Sequence, residues 1–293
     1  MTTFNTFVQT VINKLQSRLA DAFEISKVTI TKLNDETLTG LTIKHKDSDV
    51  APTIYLNSMY DDYCNGYSLE SIISAIVDTS LDAEPMAPIQ SAEDMDFSFD
   101  SIKDKLTARV IDTELNQTYL QSHPYGYLFA GLAIIAEINI GDHYRCVITN
   151  ELAEQYGLNI SEVLETAREN MQNRYPAMLM SMETALFGKS ENILDGDSDL
   201  GNMGVLTLDG ADGFGGAVIA YKGITDLILE SVGEAELYLL PSSLHEWIVL
   251  RGDYDTAELK NMVLSANQTV VDTADKLSDS VFKLDAAGLH RVA

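Results

Sequence analysis

The stretch ELYLLPSSLHEWIVL, residues 236–250, consists of two apolar runs on either side of a short polar segment. Each run has the length and the Leu, Tyr, Ile and Val content of a buried strand. The segment between them, Pro241 to Glu246, contains residues that favour turns, because proline fixes its own backbone and serine bonds to nearby backbone groups. Strands joined by so short a connection pair antiparallel. The stretch therefore predicts strands at 236–240 and 247–250 and, with them, an antiparallel sheet.

Similar patterns organise the rest of the chain. Apolar spacing of the helical kind alternates with short apolar runs bounded by turn residues, as in the hairpin that we expect around Asn34 and Asp35. A capping pattern at Asn159 starts another helix. The further predicted strands are 28–32, 37–42, 51–56, 106–111, 127–140 (one strand or a pair), 144–149, 205–208, 217–221 and 280–284, and the predicted helices are 3–20, 68–77, 113–122, 161–174, 224–231 and 255–267.

This layout predicts an α+β fold with two lobes of mixed strands and helices and largely antiparallel sheets. The residues 82–104 include Pro85, Pro88 and many acids, which is typical of a surface connection. We expect an N-terminal lobe at 1–81, the acidic connection at 82–104 and a C-terminal lobe at 105–293.

Charge is the strongest compositional signal, since 19 Lys and Arg stand against 45 Asp and Glu, a net charge of −26. Nucleic acid backbones and anionic membranes repel such a chain, so we expect neither as a direct partner. The acids either provide solubility, bind a basic protein, or mimic nucleic acid. The start of the chain has no basic residue before Lys14, and the longest apolar stretch, 128–138, contains Gly131 and Glu137. We therefore expect a cytoplasmic location.

The sequence contains partial matches to several catalytic and metal-binding motifs, and each match lacks residues that the motif requires. The alternating acids at Asp195 lack the glycine and the glutamate of a calcium loop, and the five histidines show no zinc-ligand spacing. The glycine-rich segment 210–216 has no Lys-Ser/Thr ending, and no serine lies in a nucleophile elbow. Cys64 and Cys146 are predicted to be reduced, partly buried thiols. We expect no metal and no cofactor.

The remaining candidate site is the polar turn with Ser242, Ser243, His245 and Glu246. One interpretation is a small polar binding site at a strand end. The other is a turn in which the serine hydroxyls and Glu246 bond to nearby backbone groups. Strand neighbours point to opposite faces, so Glu246 orients His245 only if the segment is a turn.

Several stretches resemble an uncharacterised bacterial domain-of-unknown-function family of gut anaerobes. They include APTIYLN from Ala51, LPSSLHE from Leu240 and LSDSV from Leu277, and the similarity covers nearly the whole chain. The middle and C-terminal parts are also similar to a second uncharacterised family of low-GC Gram-positive bacteria. Neither resemblance implies an activity, a cofactor or a catalytic residue, and the chain departs from the first family's pattern between His123 and Gly131.

Together these observations favour a non-enzymatic intracellular binding or accessory protein that acts through protein contacts. Two alternatives stay open: an unrecognised hydrolase or nucleotide-handling enzyme that uses the turn from Ser242 to Glu246, and an acidic mimic of nucleic acid.

Overall fold

The computed structural model describes residues 2–46, 53–82, 95–140, 144–187, 191–196, 199–211 and 213–293. Within these ranges the chain has the predicted α+β fold, with helices beside three antiparallel sheets. The chain divides into two compact units, one of residues 1–32 and 36–96 and the other of residues 33–35 and 97–293. Most of the connection expected at 82–104 lies outside the described residues, so the predicted lobe boundaries stay a prediction.

The first unit packs helices against a three-stranded sheet of order β1-β2-β3. Its predicted hairpin is confirmed and is longer than expected, because the register runs from Phe23 opposite His45 to Thr31 opposite Thr37. Val11, Leu15 and Ile73 are among the fully buried side chains of its core. The elements are α1 (Phe4–Leu19), β1 (Phe23–Thr31), β2 (Thr37–His45), β3 (Thr53–Tyr55), α2 (Asn57–Cys64) and α3 (Leu69–Asp82).

The second unit contains two sheets that share one hydrophobic core. In the first sheet, β6 pairs with β4, β5 and β7, and the second has the order β13-β12-β10-β11-β9-β8. Its strands are β4 (Leu106–Asp112), β5 (Gly126–Tyr127), β6 (Leu132–Ile140), β7 (Tyr144–Val147), β8 (Ala177–Ser181), β9 (Met203–Leu208), β10 (Glu236–Ser243), β11 (Glu246–Leu250), β12 (Phe282–Asp285) and β13 (Gly288–Arg291). Its helices are α4 (Phe99–Ile102), α5 (Asn150–Gln155), α6 (Ile160–Arg174), α7 (Met182–Phe187), α8 (Ile224–Val232) and α9 (Thr256–Thr269).

The hairpin predicted from residues 236–250 forms β10 and β11 at the centre of the larger sheet. Leu237 and Leu239 point into the main core, whereas Tyr238 and Leu240 pack on the opposite face in a cluster with Leu259 of α9. Both faces of β10 are therefore covered, which explains why its sequence is apolar without alternation.

Two predicted elements were wrong. Residues 217–221 were expected to form a strand, but Gly215–Ala220 forms a buried 3₁₀ helix that packs against β9. Residues 113–122 were expected to form a helix, but they form turns and a short 3₁₀ helix at Tyr119–Gln121. Tertiary packing overrides local propensity in the first case, since an apolar run buried on all sides has no periodicity that distinguishes strand from helix.

No helix in the described part of the chain is long and apolar enough to cross a membrane.

Candidate functional site

The four predicted site residues lie together at the turn between β10 and β11. Strand pairing continues to Ser243 opposite Glu246, so the turn itself is only Leu244 and His245, shorter than the sequence predicted. A register shift between Pro241 and Ser243 marks a bulge at Ser242. A bulge re-aims the side chain of the extra residue, and it brings Ser242 within reach of Glu246.

Both serine hydroxyls are used inside the turn. Ser242 Oγ donates a hydrogen bond to Glu246 Oε1 at 3.2 Å, and the backbone N–H of His245 donates to Ser243 Oγ at 3.1 Å. Side-chain oxygens that bond to backbone two residues on are typical of serine in turns. This geometry agrees with the interpretation in which the polar residues stabilise the turn.

Among the described residues, the carboxylate that pairs with the His245 ring belongs to Asp275, 30 positions farther along the sequence. His245 Nε2 is 3.6 Å from Asp275 Oδ1, and both side chains are about half exposed, at 47% and 46%. The backbone carbonyl of Asp275 also accepts a hydrogen bond from the N–H of Leu244 at 2.7 Å. The segment that ends at Asp275 is not part of the hairpin, and its contacts with Leu244 and His245 stabilise the turn. Among the described residues, neither serine hydroxyl bonds to the imidazole.

The glycine-rich segment and the turn, which looked unrelated in sequence, pack directly on each other. The N–H of Gly216 donates to the carbonyl of Leu244 at 2.9 Å, and Trp247 Nε1 donates to the carbonyl of Gly216 at 2.9 Å. A methyl group on Gly215 would lie 1.9 Å from the carbonyl oxygen of His245 and 2.0 Å from Thr207 Oγ1. Gly215 is thus required by the close approach of two backbones, a role unrelated to phosphate binding.

In the described ranges, no three His, Cys, Asp or Glu side chains lie close enough together to hold a metal ion. In the acidic segment, Asp199 pairs with Arg251 at 3.2 Å. The residues Asp197 and Ser198 of that segment lie outside the described residues.

A family model described as a family of unknown function, DUF5688, matches residues 4–285. The chain belongs to the DUF5688 family. No curated protein and no solved structure matched the chain. Membership confirms the predicted resemblance to a family of unknown function, and any activity must be argued from the residues themselves.

The DUF5688 chain also contains a buried polar network that sequence reasoning missed. The carboxylate of Asp112, 2% exposed, accepts hydrogen bonds from Ser278 Oγ, from Arg291 Nη2 at 3.0 Å and from the N–H of Glu114 at 2.8 Å. The available signal was the carboxylate directly after Val110 and Ile111, at the end of a predicted strand. Because solvent does not reach this group, we assign it a structural role.

Two adjacent apolar side chains at the end of α7 were also missed. Leu186 and Phe187 are 74% and 73% exposed. Large apolar side chains are usually buried, and pairs that remain exposed often mark interaction surfaces. No helix was predicted at 182–187, because six residues are too few to display a helical apolar period.

A cavity of about 260 Å³ lies between β8 and α8. It is lined by Gln172, Pro176, Ala177, Asn192, Leu194, Asp195, Tyr221, Lys222, Ile224 and Leu227.

The two cysteines differ in exposure, which corrects the expectation that both are partly buried: Cys64 is exposed and Cys146 is half-buried. Burial, with a smaller contribution from Glu137, raises the pKa of the Cys146 thiol.

We expect a thiol reagent at neutral pH to modify Cys146 on the order of tenfold more slowly than Cys64, because the thiolate is the reactive form. Mass spectrometry of the labelled peptides measures both rates. In concentrated urea the two rates should converge, and a persistent difference there would contradict burial as the cause.

Proposed function

We propose that this chain is a non-enzymatic binding or accessory protein that acts through protein contacts at α7. The observation that carries the proposal is the pair of exposed side chains Leu186 and Phe187. Keeping two such side chains in water costs the free energy that their burial would release, about 1.5–3 kcal/mol each. A partner that covers them recovers that free energy.

Neighbouring residues extend this surface. Ser181, the last residue of β8, pairs with Gly204 of β9, which follows Met203, and α7 itself contacts β9. Met203 is itself 37% exposed. We call Leu186, Phe187 and Met203 the α7 surface. Methionine is common at surfaces that bind partners, because its flexible thioether adapts to different shapes.

The negative charge around the α7 surface favours a partner with basic residues. Glu183 and Glu191, which flank the α7 surface in sequence, are both exposed, and the whole chain carries −26. A protein with apolar side chains inside a basic rim complements such a surface, and its charge increases the rate of encounter. Two cysteines without a disulfide fit the reducing cytoplasm of a bacterial cell, which we propose as its location.

The test is the double substitution Leu186→Ser and Phe187→Ser. Partners are captured by crosslinking in the native host, identified, purified and titrated calorimetrically against the wild-type chain and the variant. We expect at least a tenfold loss of affinity, about 1.4 kcal/mol or more, with an unchanged melting temperature because the side chains make little contact with the core.

Val270→Ser is the matched control, since Val270 is an apolar side chain of the same unit with 83% exposure. It should leave the affinity unchanged. If the double variant binds every identified partner as tightly as wild type does, or if no partner binds the purified wild-type chain, the proposal is wrong.

A further inference from the structure

We infer that the cavity between β8 and α8 receives one apolar side chain of the partner, and that Asp195 at its rim binds a basic residue next to that side chain. This inference rests on the proposed function and specifies the chemistry of the partner segment.

Apolar side chains form part of the cavity lining. Ile224 is buried, and Leu227, on the same helix, is 40% exposed. Tyr221 is buried and donates its hydroxyl to the carbonyl of Tyr175 at 2.9 Å. Since that hydroxyl is already satisfied, the tyrosine offers the cavity mainly its ring.

The amide side chains of the wall are held by backbone groups. Gln172 Oε1 accepts from the N–H of Lys222 at 3.2 Å, and its Nε2 donates to the carbonyl of the same residue at 3.4 Å. Asn192 Oδ1 accepts from the N–H groups of Leu179 and Leu194, and Asn192 Nδ2 donates to the carbonyl of Ala177. The wall is therefore preformed, and it offers a polar ligand few groups with which to bond.

Electrostatics at the rim favour a cation. Lys222 Nζ pairs with the carboxylates of Glu165 and Glu169, the latter at 3.3 Å, and these bonds raise the pKa of the lysine. Asp195 is exposed, and no basic residue in the described ranges forms an ion pair with it. The ammonium group of Lys222 is thus already paired with two carboxylates, and Asp195 remains available for a partner's lysine or arginine.

The volume of the cavity suits a small group. About 260 Å³ lies below the range of roughly 300–1,000 Å³ that is typical of sites for drug-sized ligands. A leucine or phenylalanine side chain is the kind of group that fits.

The cavity and the α7 surface lie at opposite ends of one strand. Ala177 of the cavity begins β8, and Ser181, which precedes α7, ends it. Four residue steps at about 3.3 Å each separate these ends by roughly 13 Å. An extended segment of about five residues in the partner spans the length of β8, from the cavity to the start of α7.

The probe is a capped pentapeptide, glycine-leucine-lysine-lysine-glycine, titrated into isotope-labelled wild-type chain and followed by NMR amide shifts. We expect saturable shifts at Leu194 and in the segment 221–227. The same peptide with glutamates in place of the lysines, and one with serine in place of the leucine, should each bind at least tenfold more weakly. Asp195→Asn should weaken the lysine peptide about fivefold, and Leu227→Lys should abolish its binding.

Equal binding of the lysine and glutamate peptides, or saturable shifts confined to other parts of the chain, would overturn the inference. The α7 double variant separates this result from a failure of the proposed function, because that variant should still bind the pentapeptide. If an identified partner needs Leu186 and Phe187 but tolerates Leu227→Lys and Asp195→Asn, the protein-contact proposal stands and the cavity inference fails. If the peptide binds the cavity but no partner protein exists, the proposed function fails instead.

Discussion

Gly215→Ala is expected to lower the free energy of unfolding of the second unit by about 3 kcal/mol or more, at the upper end of the cost of overpacking. The added methyl group would lie 1.9 Å from the carbonyl oxygen of His245 and 2.0 Å from Thr207 Oγ1. The carbonyl belongs to the turn between two paired strands, so the clash cannot be relieved by rotating a side chain. Urea unfolding measures the loss of stability. It can be followed by the fluorescence of Trp247, the only tryptophan, which lies next to the turn.

Gly210→Ala is the control for this substitution. Gly210 lies in the same glycine-rich segment with φ +68° and has no atom within 4 Å of the added methyl position. Its cost should be only the strain of a left-handed alanine, about 1–2 kcal/mol. Combining Gly215→Ala with Thr207→Ala should recover little stability, because the clash with the His245 carbonyl remains. Equal stability of Gly215→Ala and Gly210→Ala would show that the glycine-rich segment does not pack under the turn.

The hairpin that carries the candidate site was predictable because its signals are local. Two apolar runs around a serine-rich turn specify antiparallel pairing without knowledge of the rest of the chain, and Ser242, Ser243, His245 and Glu246 come together because they are consecutive or nearly so. The turn was predicted too long, because polarity was taken as the end of the strand at Leu240. Serine can remain in the ladder when a bulge turns its side chain toward Glu246, as Ser242 does.

The groups that complete the turn were not predictable from a single sequence. Asp275 lies 30 positions beyond His245, between α9 and β12, and only the tertiary fold brings the two side chains together. Gly215 lies beneath the turn only because residues 215–220 form a 3₁₀ helix where apolar content suggested a strand. Contacts of this kind depend on which elements become neighbours, and apolar periodicity contains no information about that choice.

The exposure of Leu186 and Phe187 was also not predictable from the sequence alone. Sequence patterns show that a helix is amphipathic, but they do not show whether the chain itself provides a surface to cover its apolar face. In this fold α7 has only six residues and contacts β8 and β9, and its last two side chains extend beyond them.

Arg291→Met is expected to destabilise the second unit by about 3–5 kcal/mol, the usual cost of removing one partner from a buried ion pair. Arg291 Nη2 lies 3.0 Å from Asp112 Oδ2, and Nε donates to the carbonyl of Ala130 at 3.0 Å. Methionine matches the apolar stem of arginine, so the loss reports the charge and its hydrogen bonds more than the packing. Thermal and urea unfolding of the variant beside wild type measure the effect.

A double-mutant cycle with Asp112→Asn separates this ion pair from the other contacts of Arg291. Asparagine keeps one oxygen that can accept from the N–H of Glu114, and it replaces the other oxygen, which accepts from Ser278 and Arg291, with an uncharged amide. The double variant leaves no unpaired charge, so it should be more stable than Arg291→Met alone. Arg251→Met is the surface comparison, because Arg251 pairs with Asp199 and Glu234 where solvent screens the charges, and it should cost much less than Arg291→Met. If Arg291→Met costs as little as Arg251→Met, the charge of Arg291 does not stabilise the network around Asp112. The network would then contribute hydrogen bonds alone, and the C-terminal strand β13 would be attached to the fold by packing rather than by charge.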